Sequence, residues 1–136
     1  MRFVGQAAME YLIVVGLVLA FIIPIWAYVS SVQQQAGQQL SITYAKNTAQ
    51  KLASTADLVF SQGPPAKVRV NVFIPKNIES VSVAGNTINL RMYVDSTISD
   101  VFATATANVS GTLPTSEGNY FIIVEAKDGY VQISPE

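Results

Sequence analysis

Hydrophobic residues follow three patterns in succession along the chain: an unbroken apolar run from Tyr11 to Val29, a helical period from Ser30 to Phe60, and strict alternation from Lys67 onward. The first segment carries no charge, and at about 1.5 Å per residue it reaches roughly 28 Å, enough to cross a hydrocarbon core. In the second, Ile42, Ala45, Ala49, Leu52, Ala56 and Val59 recur at spacings of three and four and share one face, with Ala53 and Phe60 widening it. Lys46, Asn47, Gln50, Lys51 and Asp57 mostly lie off that face. Together the two segments predict one long helix from about Ala7 to about Phe60, stopped by Gly63-Pro64-Pro65. Pro24 lacks a backbone donor and crowds the preceding turn, so a kink or loosened stretch is expected there. Ser30, Ser31 and the Gln33 to Gln35 run read either as a linker or as continuing helix, and Gln propensity favours continuation.

In the third segment "KVRVNVFIP" alternates Val68, Val70, Val72 and Ile74 against Arg69, Asn71 and Phe73, a half-buried strand stopped by Pro75. "IESVSVAGNTINLRMYV" holds two such runs around Ala84-Gly85-Asn86, whose residues suit positive φ at a hairpin tip. A further strand lies within "DVFATATANVSG", and "YFIIVEAKDGYVQI" folds back at Asp128-Gly129. About six short strands with regular turn signals predict a small antiparallel sheet or sandwich. The fold class is α+β: a leader over residues 1–5, a long helix over 6–62 with an apolar half (6–31) and an amphipathic half (32–62), and a β-rich head over 66–136.

Composition narrows the functions open to such a chain. Its 136 residues are half hydrophobic, with mean hydropathy +0.35, which leaves room for one domain plus a segment that lives in lipid or in a protein core. The net charge is −1 and Lys and Arg are scattered, so no basic stripe offers itself to nucleic acid. Cys and His are both absent. That removes disulfides, thiol chemistry, the commonest metal ligand and the usual general base, so no catalytic residue, cofactor or metal site is expected and enzymes become poor candidates. Asp95 and Asp100 flank "STIS", but two carboxylates at this spacing fit a solvated turn better than a calcium loop. Tyr120 and Tyr130 on the last hairpin are expected to pack against the helix. No A-x-A-like cleavage site follows Val29, so the apolar run stays on the mature chain. Arg2 precedes that run and no positive charge follows before Lys46, which places the N-terminus in the cytoplasm and the rest outside.

One charge stands at the mouth of the apolar run: Glu10, the only charged residue between Arg2 and Lys46. It reads either as an interfacial carboxylate wetted by headgroups and water, or as a buried group that needs a cationic partner from outside the segment. A cut after Gly5 would create such a cation, the α-amino group of Gln6, four residues from Glu10 or on a neighbouring copy.

The sequence here resembles the archaeal type IV pilins with a class III signal peptide. Gly5, Gln6, Glu10, Tyr11 and Leu12 match the family's leader glycine, the Gln that follows it, the Glu at the fifth mature position and the Tyr-Leu opening of its apolar helix. The resemblance covers about the first quarter of the chain and departs from the family pattern at Val4 and Ala8. It implies a membrane-inserted precursor cut after Gly5 by a prepilin peptidase, with Gln6, Glu10, Tyr11 and Leu12 serving assembly and docking. It further implies an assembly platform and ATPase as partners, and an extracellular adhesive filament built from copies of this chain. The alternatives are a minor subunit that primes or caps a filament, or a single-span anchor carrying a binding module. Gly16 and Ala20 fall on one helix face, either as a close-approach surface or as ordinary apolar-helix composition. Asn108 opens the only N-x-[ST] sequon, "NVS", a possible glycosylation site.

Overall fold

The structure is a computed structural model that describes residues 2–136, with side-chain surroundings from Gly5 onward. Met1 and the side chains of Arg2, Phe3 and Val4, part of the expected leader, lie outside the described residues.

A single helix, α1 (Arg2–Gln62), takes up the whole N-terminal part and starts before the expected Ala7. It runs through Pro24, the Ser30 to Gln35 stretch and Gly37 without interruption, which closes the linker alternative. Proline removes one donor and leaves the remaining ladder in place, so the flanking helix formers carry the helix across it. The helix stops where the glycine predicts. Gly63 takes φ 73°, and its N–H donates to the carbonyls of Val59 (3.2 Å) and Phe60 (3.1 Å), closing the last turn with a residue free to turn left-handed.

The chain divides into two compact units, residues 1–37 and residues 38–136. In the first, almost every described side chain is exposed. The second has its own core. Ala45, Ala49, Leu52, Ala53, Ala56 and Val59 of α1 are buried in one cluster with the inward residues of the strands, and Ile42 packs against it half-buried. The predicted helix face is therefore the packed one, with two changes at its margins. Phe60 is exposed, because the face narrows to Val59 as the helix ends. Thr48, which the stripe of small and branched apolar residues leaves out, is buried and donates its hydroxyl to the carbonyl of Phe73 at 2.7 Å.

Seven strands follow: β1 (Lys67–Ile74), β2 (Ile78–Ala84), β3 (Thr87–Val94), β4 (Thr97–Thr104), β5 (Val109–Gly111), β6 (Gly118–Lys127) and β7 (Tyr130–Pro135). They form one sheet in the order β1-β6-β7-β5-β2-β3-β4, so the arrangement is a helix on a sheet and not a two-sheet sandwich. All pairs are antiparallel except β5 with β7. Alternation puts Val70, Val72 and Ile74 of β1, Ile88, Leu90 and Met92 of β3, and Ile122, Val124 and Ala126 of β6 into the core. The predicted turns at Gly85-Asn86 and Asp128-Gly129 are both present.

Two elements escape the pattern reading. The β3–β4 hairpin turns on Asp95 and Ser96, both at positive φ (49° and 64°), the backbone of a type I′ turn built without glycine. Gln38 donates its side-chain amide to the Asp95 carboxylate. The short β5 is separated from β4 by a bend, and its seat depends on Gly111. At φ 153°, a Cβ there would run into the Ile133 backbone, so only glycine lets β5 approach β7 this closely. Of the two tyrosines expected to pack against the helix, Tyr120 is half-buried against the core cluster, whereas Tyr130, at the mouth of the last turn, is exposed.

Candidate functional site

The candidate site is the N-terminal stretch of α1. Gly5, Gln6, Glu10, Tyr11 and Leu12 all lie within the helix and all are exposed. Gln6 and Glu10 are four residues apart and so share a face; Tyr11 and Leu12 turn successively away from it. A Cβ added at Gly5 or at Gly16 would meet nothing within 4 Å, so neither glycine is required by packing inside one chain.

Beyond this motif the helix is apolar on every side. Leu12, Ile13, Val14, Leu17, Phe21 and Ile25 are each more than half exposed, and Trp26 reaches 72%. Soluble monomers rarely leave contiguous apolar surface of this extent facing water, so the segment needs lipid or protein around it. By length and composition α1 is able to cross a membrane, and none of its most apolar 18-residue window is buried. Glu10 is the sole charge set into that surface.

The other predicted positions are distributed over the 38–136 unit. Asn108 is exposed between β4 and β5, with its backbone carbonyl accepting from Val131 N–H at 2.8 Å, so the sequon side chain stands free on a pinned backbone. Asp95 and Asp100 do not converge. Asp95 accepts from Gln38, whereas Asp100 is held by Arg91 through two contacts, Nε to Oδ1 at 2.9 Å and Nη2 to Oδ2 at 3.3 Å. That hydrogen bond to Arg91 is the main reason the Asp100 carboxyl lies below its ordinary range, burial acting in the opposite sense. Among the described residues no three His, Cys, Asp or Glu side chains gather as a metal site.

Sequence reasoning left one polar constellation unremarked. Asp57 faces the loop after β4, and its Oδ1 accepts from the backbone N–H groups of Thr106 (2.7 Å) and Ala107 (3.1 Å). A carboxylate satisfied by two main-chain donors ties helix to sheet. No local signal marks Asp57 for this, since its partners are distant in sequence.

No protein-family model, curated protein or solved structure matches the chain. The functional reading therefore rests on the site itself.

Proposed function

We propose that the chain is the structural subunit of an extracellular type IV pilus-like filament and polymerises through the apolar half of α1. The observation that carries this reading is the conjunction at the N-terminus: a Gly5-Gln6 junction, a single carboxylate at Glu10, and directly after it an apolar helix with every face exposed. An anchor needs the helix but has no use for the junction or the lone carboxylate.

In this reading the precursor rests in the bilayer through Tyr11 to Val29, and a prepilin peptidase cuts after Gly5. The new Gln6 α-amine then supplies the counter-charge for Glu10 of a neighbouring subunit, because an unpaired carboxylate in an apolar bundle costs several kcal/mol. The helices leave lipid for one another, driven by burial at about 25 cal/mol per Å2 of apolar surface. One face of a subunit meets a different face of the next, so the contact is open-ended and generates a helical filament. The 38–136 unit coats the outside and presents Asn108 for glycosylation and the sheet surface for adhesion.

Material sheared from cells and analysed by N-terminal peptide mass spectrometry tests the reading. A start at Gln6 in the sheared fraction is the expected result. Full-length chain confined to membranes would leave the anchored-module alternative, and a start at Gln6 in trace amounts beside another major subunit would make this chain a priming or capping subunit.

A further inference from the structure

The two edges of the sheet are treated differently. On β1 the residues that pair with β6 are the even-numbered ones, since the Ala66 carbonyl accepts from Ala126 N–H, so the carbonyls of Asn71 and Phe73 point to the free edge. Both are taken by α1: Lys51 Nζ donates to Asn71 at 2.8 Å and Thr48 Oγ1 donates to Phe73 at 2.7 Å. The helix thus holds two carbonyls of that edge.

β4 forms the opposite edge of the sheet. The turn at Asp95-Ser96 makes Val94 and Thr97 the closing hydrogen-bonded pair, so Ile98, Asp100, Phe102 and Thr104 direct their N–H and C=O groups away from β3. An open groove of about 410 Å3 lies beside this edge, between Gln50, Ser54 and Asp57 of α1 and Phe102 to Thr104 of β4, which leaves room for an arriving strand. The strand has no lysine, no proline and an unshifted register from Thr87↔Thr104 to Val94↔Thr97, so Asp100 is its one edge-blunting residue. Its outer face instead presents Phe102 (65% exposed) and Ile98, the latter opposite exposed Tyr93 of β3.

We propose that the β4 edge is a self-association surface, at which β4 of a second copy adds antiparallel to extend the sheet across a two-fold axis. The two occupied carbonyls on β1 bear on the occupant. A head-to-tail β4-to-β1 contact would have to displace Lys51 and Thr48 from two β1 carbonyls, which favours β4 against β4 as the strand pairing between two copies. Charge permits it, because Asp100, the one charge on β4, is already held by Arg91. The register that sets Phe102 opposite Phe102 of the second copy gives an aromatic cross-strand pair at the axis and places Asp100 against Thr104, whereas a shift toward the turn would oppose two Asp100 side chains. The surface belongs to the 38–136 unit alone, so the proposal stands apart from the filament reading. In a filament, a two-fold contact of this kind would join subunits of neighbouring filaments laterally, since the helical contacts within one filament are not two-fold.

Amide hydrogen exchange on the full chain, with the apolar half of α1 held in detergent micelles, tests it. The N–H groups of Asp100, Phe102 and Thr104 should exchange at least about tenfold more slowly at high protein concentration than at low. Phe102→Lys should restore fast exchange at every concentration, and Gln132→Lys, at an exposed position of β7 in the middle of the sheet, should change nothing. Rates independent of concentration, or protection lost as fully in Gln132→Lys as in Phe102→Lys, would overturn the proposal. Because the chain has no cysteine, Phe102→Cys gives a second measure: under mild oxidation it should form a disulfide-linked dimer that Gln132→Cys does not, and equal yields from the two would also overturn it.

Discussion

Glu10 carries the most consequence for the least mass. Glu10→Gln keeps the shape and removes the charge, so in the proposed filament the Gln6 amine would lose its counter-ion at a cost of a few kcal/mol, on the order of that for breaking a buried pair. Cells carrying this variant should hold processed subunit but few sheared filaments; wild-type filament yield would mean that the carboxylate is simply wet. At Gly111 the expectation concerns stability. A methyl group there meets the Ile133 backbone at a positive φ, and backbone cannot step aside as a flexible side chain would, so Gly111→Ala should cost about 3 kcal/mol or more, read from denaturant unfolding. The Arg91–Asp100 pair gives a pH signature. The Asp100 carboxyl is depressed in the folded state, so its contribution is present above the unfolded carboxylate value and is lost as pH falls through the folded one. The thermal midpoints of wild type and Asp100→Asn should differ near neutrality and converge in acid; a gap that persists at low pH would assign the difference to something other than ionisation. Both groups are exposed, so the gap should be small.

At the scale of elements, α1 serves two environments with one continuous helix. Its N-terminal half is apolar all round, while its C-terminal half buries one stripe and keeps Lys46, Asn47, Gln50 and Lys51 in solvent. Leu52 is the largest side chain on that stripe and is fully buried, so Leu52→Ala should destabilise the 38–136 unit by about 2–5 kcal/mol, the range for a core truncation that leaves a cavity. Calorimetry or urea unfolding would show it. Thr48 and Lys51 of the helix also hold two carbonyls of the β1 edge. The stripe was legible in the sequence because period 3.6 and burial agree there. The hydrogen bonds from Thr48, Lys51 and Asp57 were not, because each depends on which strand folds against the helix and where.

For the whole molecule, the division after Gly37 makes a specific prediction. Residues 38–136 hold the entire buried cluster and the sheet, so a chain starting at Gln38 should be soluble and folded, with strand and helix signals in circular dichroism and cooperative unfolding. Aggregation, or a loss of the strand signal, would mean that the head draws stability from the apolar half of α1 or from its neighbours.

What the sequence determined by itself was whatever depends on local period and turn chemistry. The membrane-length apolar run, the helical stripe through Ala45 and Leu52, the strand at Lys67–Ile74, and the turns at Gly85-Asn86 and Asp128-Gly129 all follow from side-chain spacing and from residues that tolerate positive φ. Tertiary structure decided the rest. It turned the chain at Asp95-Ser96, where no glycine signals a hairpin, inserted β5 beside β7 in the parallel sense, and left Phe60 and Tyr130 exposed. It also set Thr48 and Lys51 of α1 on two carbonyls of the β1 edge. A strand's place in a sheet is fixed by hydrogen bonds to residues far away along the chain, and those partners leave no trace in the short-range pattern that specifies the strand itself.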